Sequence, residues 1–148
     1  MSLASDVRLL SGTPPFDRLS REVVQLIVFA GQRRKISEGA LLFKEGEARD
    51  GGDFVLSGSL ELKSGSQTRT ASAGTLLGQA ALLAPCVASC DARALEASQA
   101  LHIPRATFLR VVGEFPDVAA DVRNAILART AALATALEEV LERLYDPQ

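Results

Sequence analysis

The chain has 148 residues, enough for one substantial hydrophobic core, and 47% apolar against 23% charged residues argues against disorder. A net charge of −2 gives no clustered basic footprint for nucleic acid, and no apolar run approaches the roughly 20 residues that span a bilayer. The start, Met1 to Asp6, lacks the basic and apolar regions of a secretory signal, and two cysteines are poor grounds for a disulfide framework.

In chain order, Asp6 to Ser11 predicts a short helix stopped by Gly12 and Pro14-Pro15. Ser20 is a candidate N-cap for a longer helix ending near Ala30-Gly31. Val23, Leu26, Ile27 and Ala30, at spacings of three and four, would form its apolar face. Residues 1–31 are therefore read as N-terminal helices.

From Gln32 to about Ile103 the segments shorten and glycines recur. Phe54, Leu56, Leu60 and Leu62 alternate with Val55, Ser57, Ser59, Glu61 and Lys63, which predicts strands with one set inside and the other outside. Gly58-Ser59 lies midway and would let one strand turn or bulge into the next. Ala88 to Ala94 and Ala97 to Ile103 read as two more short strands. Such a pattern implies a barrel, roll or sandwich over residues 32–103. One patch breaks it: Gln79-Ala80-Ala81-Leu82-Leu83 is helix-prone and closed by Pro85.

Residues 104–146 turn helical again. Pro104 suits a first helical position, and Phe108, Leu109, Val111 and Val112 form an apolar cluster stopped by Gly113. After Pro116, a stretch from Asp117 to about Tyr145 has no internal Gly or Pro and would extend roughly 43 Å. Ile126, Thr130, Leu133, Leu137, Val140 and Leu144 form a heptad seam along it. The seam either packs on the roll or meets a second copy. The helix would overrun a domain of this size, which favours a homodimer, parallel or antiparallel, with Ile126, Leu133, Leu137, Val140 and Leu144 at its interface.

Four ordered blocks, spanning Phe16 to Tyr145, resemble cyclic-nucleotide-binding domains, as in the catabolite activator protein family, protein kinase A regulatory subunits and gated ion channels. Gly39 to Asp50 and Phe54 to Leu62 look like the opening strands. Gly78-Gln79-Ala80-Ala81-Leu82-Leu83 resembles the phosphate-binding cassette, and Ser98 to Phe108 the last strand and following helix. The resemblance implies that the cassette helix faces a cyclic phosphate, where free N–H groups and the helix dipole favour an anion. It implies also that a Glu accepts from the ribose hydroxyl, an Arg pairs with the phosphate, and the long helix caps the base. The ligand residues carried over are Gly78, Gln79, Ala80, Ala81, Cys86, Val87, Ala88 and Ser89, with Thr130 as either the cap or a polar layer of the seam.

The cassette departs from the family at two positions. Gln79 stands at the Glu position and can still accept through its amide oxygen. Cys86 stands at the Arg position, which removes a charge-assisted and often bidentate phosphate partner. Losing one side of such a pair costs about 2–5 kcal/mol, or roughly thirtyfold to several-thousandfold in affinity. Arg123 or Arg129 of the long helix offers a substitute charge, but nothing fixes either side chain in the pocket.

Other reactive residues carry little. Cys86 and Cys90, if extended, lie about 13 Å apart, too far for a disulfide, and read as a loop thiol and a buried strand thiol. With His102 they make no recognisable metal site. An exposed Cys86 beside a helix N-terminus is a weak candidate for a reactive thiol. His102 reads as an exposed strand residue, and Glu45, Glu47, Asp50 and Asp53 as solvated turn residues.

The expected protein is thus mainly β, of the α+β class. It has a β-roll or jelly-roll core with N-terminal helices, an inserted cassette helix and a long C-terminal dimerisation helix, in a single domain over 1–148. It is expected to be a cytoplasmic, regulatory small-molecule sensor with weak or lost cyclic nucleotide binding, without catalysis, metal or cofactor. The alternatives are a ligand-free dimerisation or protein-interaction scaffold, or the effector part of a transcription regulator. The DNA-reading helix-turn-helix of such a regulator would follow the long helix, so direct nucleic-acid or membrane binding by this chain is not expected.

Overall fold

The computed structural model describes residues 3–13, 16–115 and 124. The expected long helix, its seam of Ile126, Thr130, Leu133, Leu137, Val140 and Leu144, and Arg123 and Arg129 lie outside the described residues.

Helices α1 (Leu3–Ser11) and α2 (Arg21–Ala30) flank a 3₁₀ turn at Phe16–Arg18. Ser20 caps α2 as expected, its hydroxyl accepting from the Val23 amide. The buried face differs from expectation. Val23, Val24, Ile27 and Val28 point inward, while Leu26 is exposed. Two apolar stripes flank the Val23–Ile27 axis, and contacts with neighbouring helices select the Val24–Val28 side.

Ten strands follow among the described residues: β1 (Gln32–Ile36), β2 (Leu41–Phe43), β3 (Ala48–Arg49), β4 (Gly51–Ser57), β5 (Ser59–Ser64), β6 (Gln67–Ser72), β7 (Leu76–Leu77), β8 (Cys86–Val87), β9 (Asp91–Ala94) and β10 (Ser98–Pro104). They form antiparallel sheets ordered β1-β10-β4-β7 and β2-β9-β5-β6, with β3 and β8 as a separate pair. The mainly β class with antiparallel sheets and a few helices is therefore as expected.

Gly58 is where the chain leaves the first sheet for the second. It adopts a φ of 86°, and a Cβ there would lie 2.2 Å from the Ser98 hydroxyl oxygen. Only glycine turns this corner without displacing β10.

The alternation in β4 has a different meaning from the expected one. The alternation implies one buried and one outer set, yet Val55 and Phe54, on opposite faces, are both fully buried. Phe54 and Leu56 join a core with α1, α2 and the helix α3 (Arg105–Gly113), whereas Val55 joins Leu60, Leu62, Ala71, Ala92 and Ala100 inside the roll. The strand lies between two apolar layers, so period two separates one core from another rather than core from water. Phe16 anchors the first core, meeting Phe54 and Phe108 edge-on at 6.5 and 6.1 Å between ring centres. Pro104 serves as the N-cap of α3 rather than its first residue, and Leu109 of the expected cluster is exposed.

Candidate functional site

The helix-prone patch forms one 3₁₀ turn, Gln79–Leu82, between β7 and β8. Gly78 enters it with a φ of 76°, in the left-handed region that suits glycine. Arg105, the first residue of α3, donates through Nη1 to the Ala81 carbonyl at 3.2 Å and the Arg49 carbonyl at 3.4 Å. The start of α3 therefore holds the cassette turn against β3.

Beside this turn opens a cavity of about 380 Å³, within the range of small-ligand sites. Gly78, Gln79, Ala80, Cys86, Val87, Ala88 and Ser89 line it, so seven of the nine expected ligand residues meet at one cavity. Ala81 is fully buried and lies off the lining, on the inner side of the 3₁₀ turn. Thr130 lies outside the described residues. The rest of the lining is Phe43, Leu62, Leu76, Leu77 and Cys90, with Arg49 and Arg69.

The two arginines were missed. Arg49 is only 8% exposed, with its guanidinium 4.4 Å from the centre of the Phe43 ring. Its Nη2 donates to the fully buried carboxylate of Asp53. Asp53 is thus no solvated turn residue, as expected from sequence, but the counter-charge of a buried cation.

His102 is a second correction. It is 1% exposed rather than exposed, because β10 pairs His102 with Asp53 in the middle of the first sheet. Its Nδ1 lies 3.0 Å from Asp53 Oδ1 and its Nε2 2.8 Å from Asp50 Oδ1. Burial pushes the imidazole below its ordinary pKa, with Arg34 and Arg49 adding to the shift and Asp50 opposing it. A neutral ring has one N–H for two carboxylates. Asp53 is fully buried and has no water to turn to, whereas Asp50, 76% exposed, has solvent as an alternative, which favours the tautomer protonated at Nδ1. Both ring nitrogens thus face carboxylates of this chain.

The cysteines exchange their expected places. Cys86 lies in β8, opposite Arg49 in β3, and Cys90 lies in the bend before β9; both are half-buried free thiols. Burial raises the Cys90 pKa, which makes it a poorer nucleophile at neutral pH. Among the described residues no group of three or more His, Cys, Asp or Glu is placed to hold a metal, and no helix is long and apolar enough to cross a membrane.

The sequence profile of the cyclic nucleotide-binding domain matches residues 33–115. No curated protein matches the chain. Among solved structures, a cyclic nucleotide-binding-like protein from Brucella abortus is 26% identical with a TM-score of 0.67, over 73% of this chain and 97% of that one. The N-terminal domain of a transcriptional regulator from Streptomyces coelicolor is 20% identical with a TM-score of 0.76, over 87% and 94%. The catabolite activator protein of Thermus thermophilus is 28% identical with a TM-score of 0.68, over 84% of this chain and 61% of that one.

Proposed function

The chain belongs to the cyclic nucleotide-binding domain family, and from that premise we propose that it is a regulatory ligand-sensing domain with weakened cyclic nucleotide binding. The observation that carries this reading is the wall of the cavity. The cassette turn and β8 still line a hollow of ligand size, but Cys86 stands in it where the family resemblance places an Arg. Gln79 retains an acceptor for a ribose hydroxyl. The cleft is kept and the cation of its cassette is lost. The reading is regulatory rather than catalytic, with His102 held by its own two carboxylates.

Ligand would act by favouring one arrangement of the C-terminal segment relative to the roll, which requires different affinities for two states. Arg105 supports this route, since it bonds the cassette turn and opens α3. We place the domain in the cytoplasm as a homodimer joined through the heptad seam. Leu137→Asp should then shift the full chain from dimer to monomer in sedimentation.

Titration calorimetry with cyclic AMP and cyclic GMP tests the pocket. Cys86→Arg should bind at least one of them about thirtyfold more tightly than the wild type, the lower bound for restoring such a pair. No gain in Cys86→Arg, with the fold intact, removes the reading. A ligand-free scaffold is the second reading, favoured by Arg49, which fills part of the cavity wall and is already paired with Asp53. Absence of heat and of thermal shift with millimolar ligand, in both wild type and Cys86→Arg, would support it.

A further inference from the structure

The cavity holds a cation that neither the cassette nor the C-terminal segment provides. Arg69 lies on β6, two residues before Ala71. Alternate residues of a strand share a face, and Ala71 is buried within the roll, so Arg69 projects from the inner face. Its neighbour across the strand pair is Leu62, which is also buried and also lines the cavity. Arg69 thus joins Leu62 in lining the hollow, on a different strand from the residues Gly78–Ala80 and Cys86–Ser89.

The two arginines of the cavity differ in how their charge is spent. Arg49 is neutralised by the buried Asp53. Arg69 has no hydrogen bond or ion pair among the described residues, and the described lining contains no carboxylate. The cavity lining therefore contains one arginine without an ion-pair partner among the described residues, beside Leu62, Leu76, Leu77 and Phe43. An apolar hollow with a single free guanidinium suits a compact anion on a hydrophobic or aromatic body. Arg is also the side chain that meets phosphate or carboxylate with a bidentate fork.

We infer that Arg69 on β6 is the anion-binding residue of this pocket, so that the ligand's phosphate or carboxylate is held from β6 rather than from the cassette. This rests on the reading of the cavity as a ligand site and moves its charge recognition to a different strand. The ligand would lie with its anion toward β6, and discrimination between charged and neutral ligands would depend on Arg69.

The test measures binding of cyclic AMP and of the uncharged nucleoside adenosine to the full chain as wild type, Arg69→Ala, Arg69→Lys and Cys86→Arg. Arg69 is exposed on an edge strand, so its replacement should leave the melting temperature unchanged. The wild type should bind cyclic AMP about tenfold or more tightly than adenosine, the scale of a charge-assisted hydrogen bond. Arg69→Ala should erase that preference, with Arg69→Lys intermediate. If Arg69→Ala binds cyclic AMP as the wild type does, or if Cys86→Arg binds it while the wild type shows no preference over adenosine, the assignment of Arg69 falls and the pocket stands. If no variant, Cys86→Arg included, binds either probe, the pocket reading falls and the assignment with it.

Discussion

Replacing Asp53 by Asn is the sharpest test of the buried charge network. The substitution keeps the shape and an oxygen that can accept from His102 Nδ1. It removes the one carboxylate ion-paired with Arg49 among the described residues, and the Arg49 side chain is 8% exposed. Breaking a buried pair by neutralising one partner costs about 3–5 kcal/mol, because the remaining charge stays desolvated. Against a total stability of roughly 5–15 kcal/mol, that is a large fraction. With a urea m-value of about 1.5 kcal/mol/M, the unfolding midpoint should fall by roughly 2 M or more at unchanged slope. A double-mutant cycle separates this charge effect from loss of packing. In Arg49→Met/Asp53→Asn the stranded cation is gone, so the pair should unfold at higher urea than Asp53→Asn alone. A cost under about 1 kcal/mol for Asp53→Asn, or strict additivity in the cycle, would refute the argument that Asp53 exists to neutralise Arg49.

Three further outcomes follow from the geometry. Stability should fall as pH drops through about 6.5 and level off below the folded pKa of His102, because the unfolded chain takes up its proton first. The slope is at most about 1.4 kcal/mol per pH unit. Since His102 is the only histidine, His102→Asn should flatten that region in urea titrations from pH 7.5 to 5.5; an unchanged slope would contradict the assignment. Gly58→Ala combines a left-handed φ with a Cβ 2.2 Å from Ser98 Oγ and 2.8 Å from its Cα, whereas Gly39→Ala, at a φ of 83°, meets nothing within 4 Å. Gly39→Ala should cost about 1–2 kcal/mol from backbone strain alone and Gly58→Ala clearly more, as read from thermal melts. Phe16→Ala should cost about 3–5 kcal/mol by calorimetry, since it empties the space between Phe54 and Phe108; a cost below 2 kcal/mol would mean that the first core does not depend on this ring.

Local chemistry made much of the architecture legible in the sequence. Ser20 announced the start of α2, because a cap hydroxyl serves amides three residues away. Gly58 marked the corner between sheets, and the apolar patch at Gln79–Leu83 marked the turn inside the roll. Residues close in sequence carried those signals. β6 was not legible: Gln67-Thr68-Arg69-Thr70-Ala71-Ser72 is polar at most positions, and only its pairing with β5 makes it a strand. Arg69 was missed with it.

Every signal that depended on partners distant in the chain was decided by the tertiary structure. Val55 alternates like a surface residue, yet β4 lies between two cores and has no wet face. His102 and Asp53, 49 positions apart, become cross-strand neighbours only once β10 pairs with β4, and their burial reverses what each suggested alone. The cavity shows the same division. Its cassette residues are two nearby runs, Gly78–Ala80 and Cys86–Ser89, that sequence could name, while its cations come from β3 and β6, brought in by sheet register. Periodicity tells which side chains share a face, but what that face meets is fixed by long-range pairing, and here that pairing sets where the charge lies.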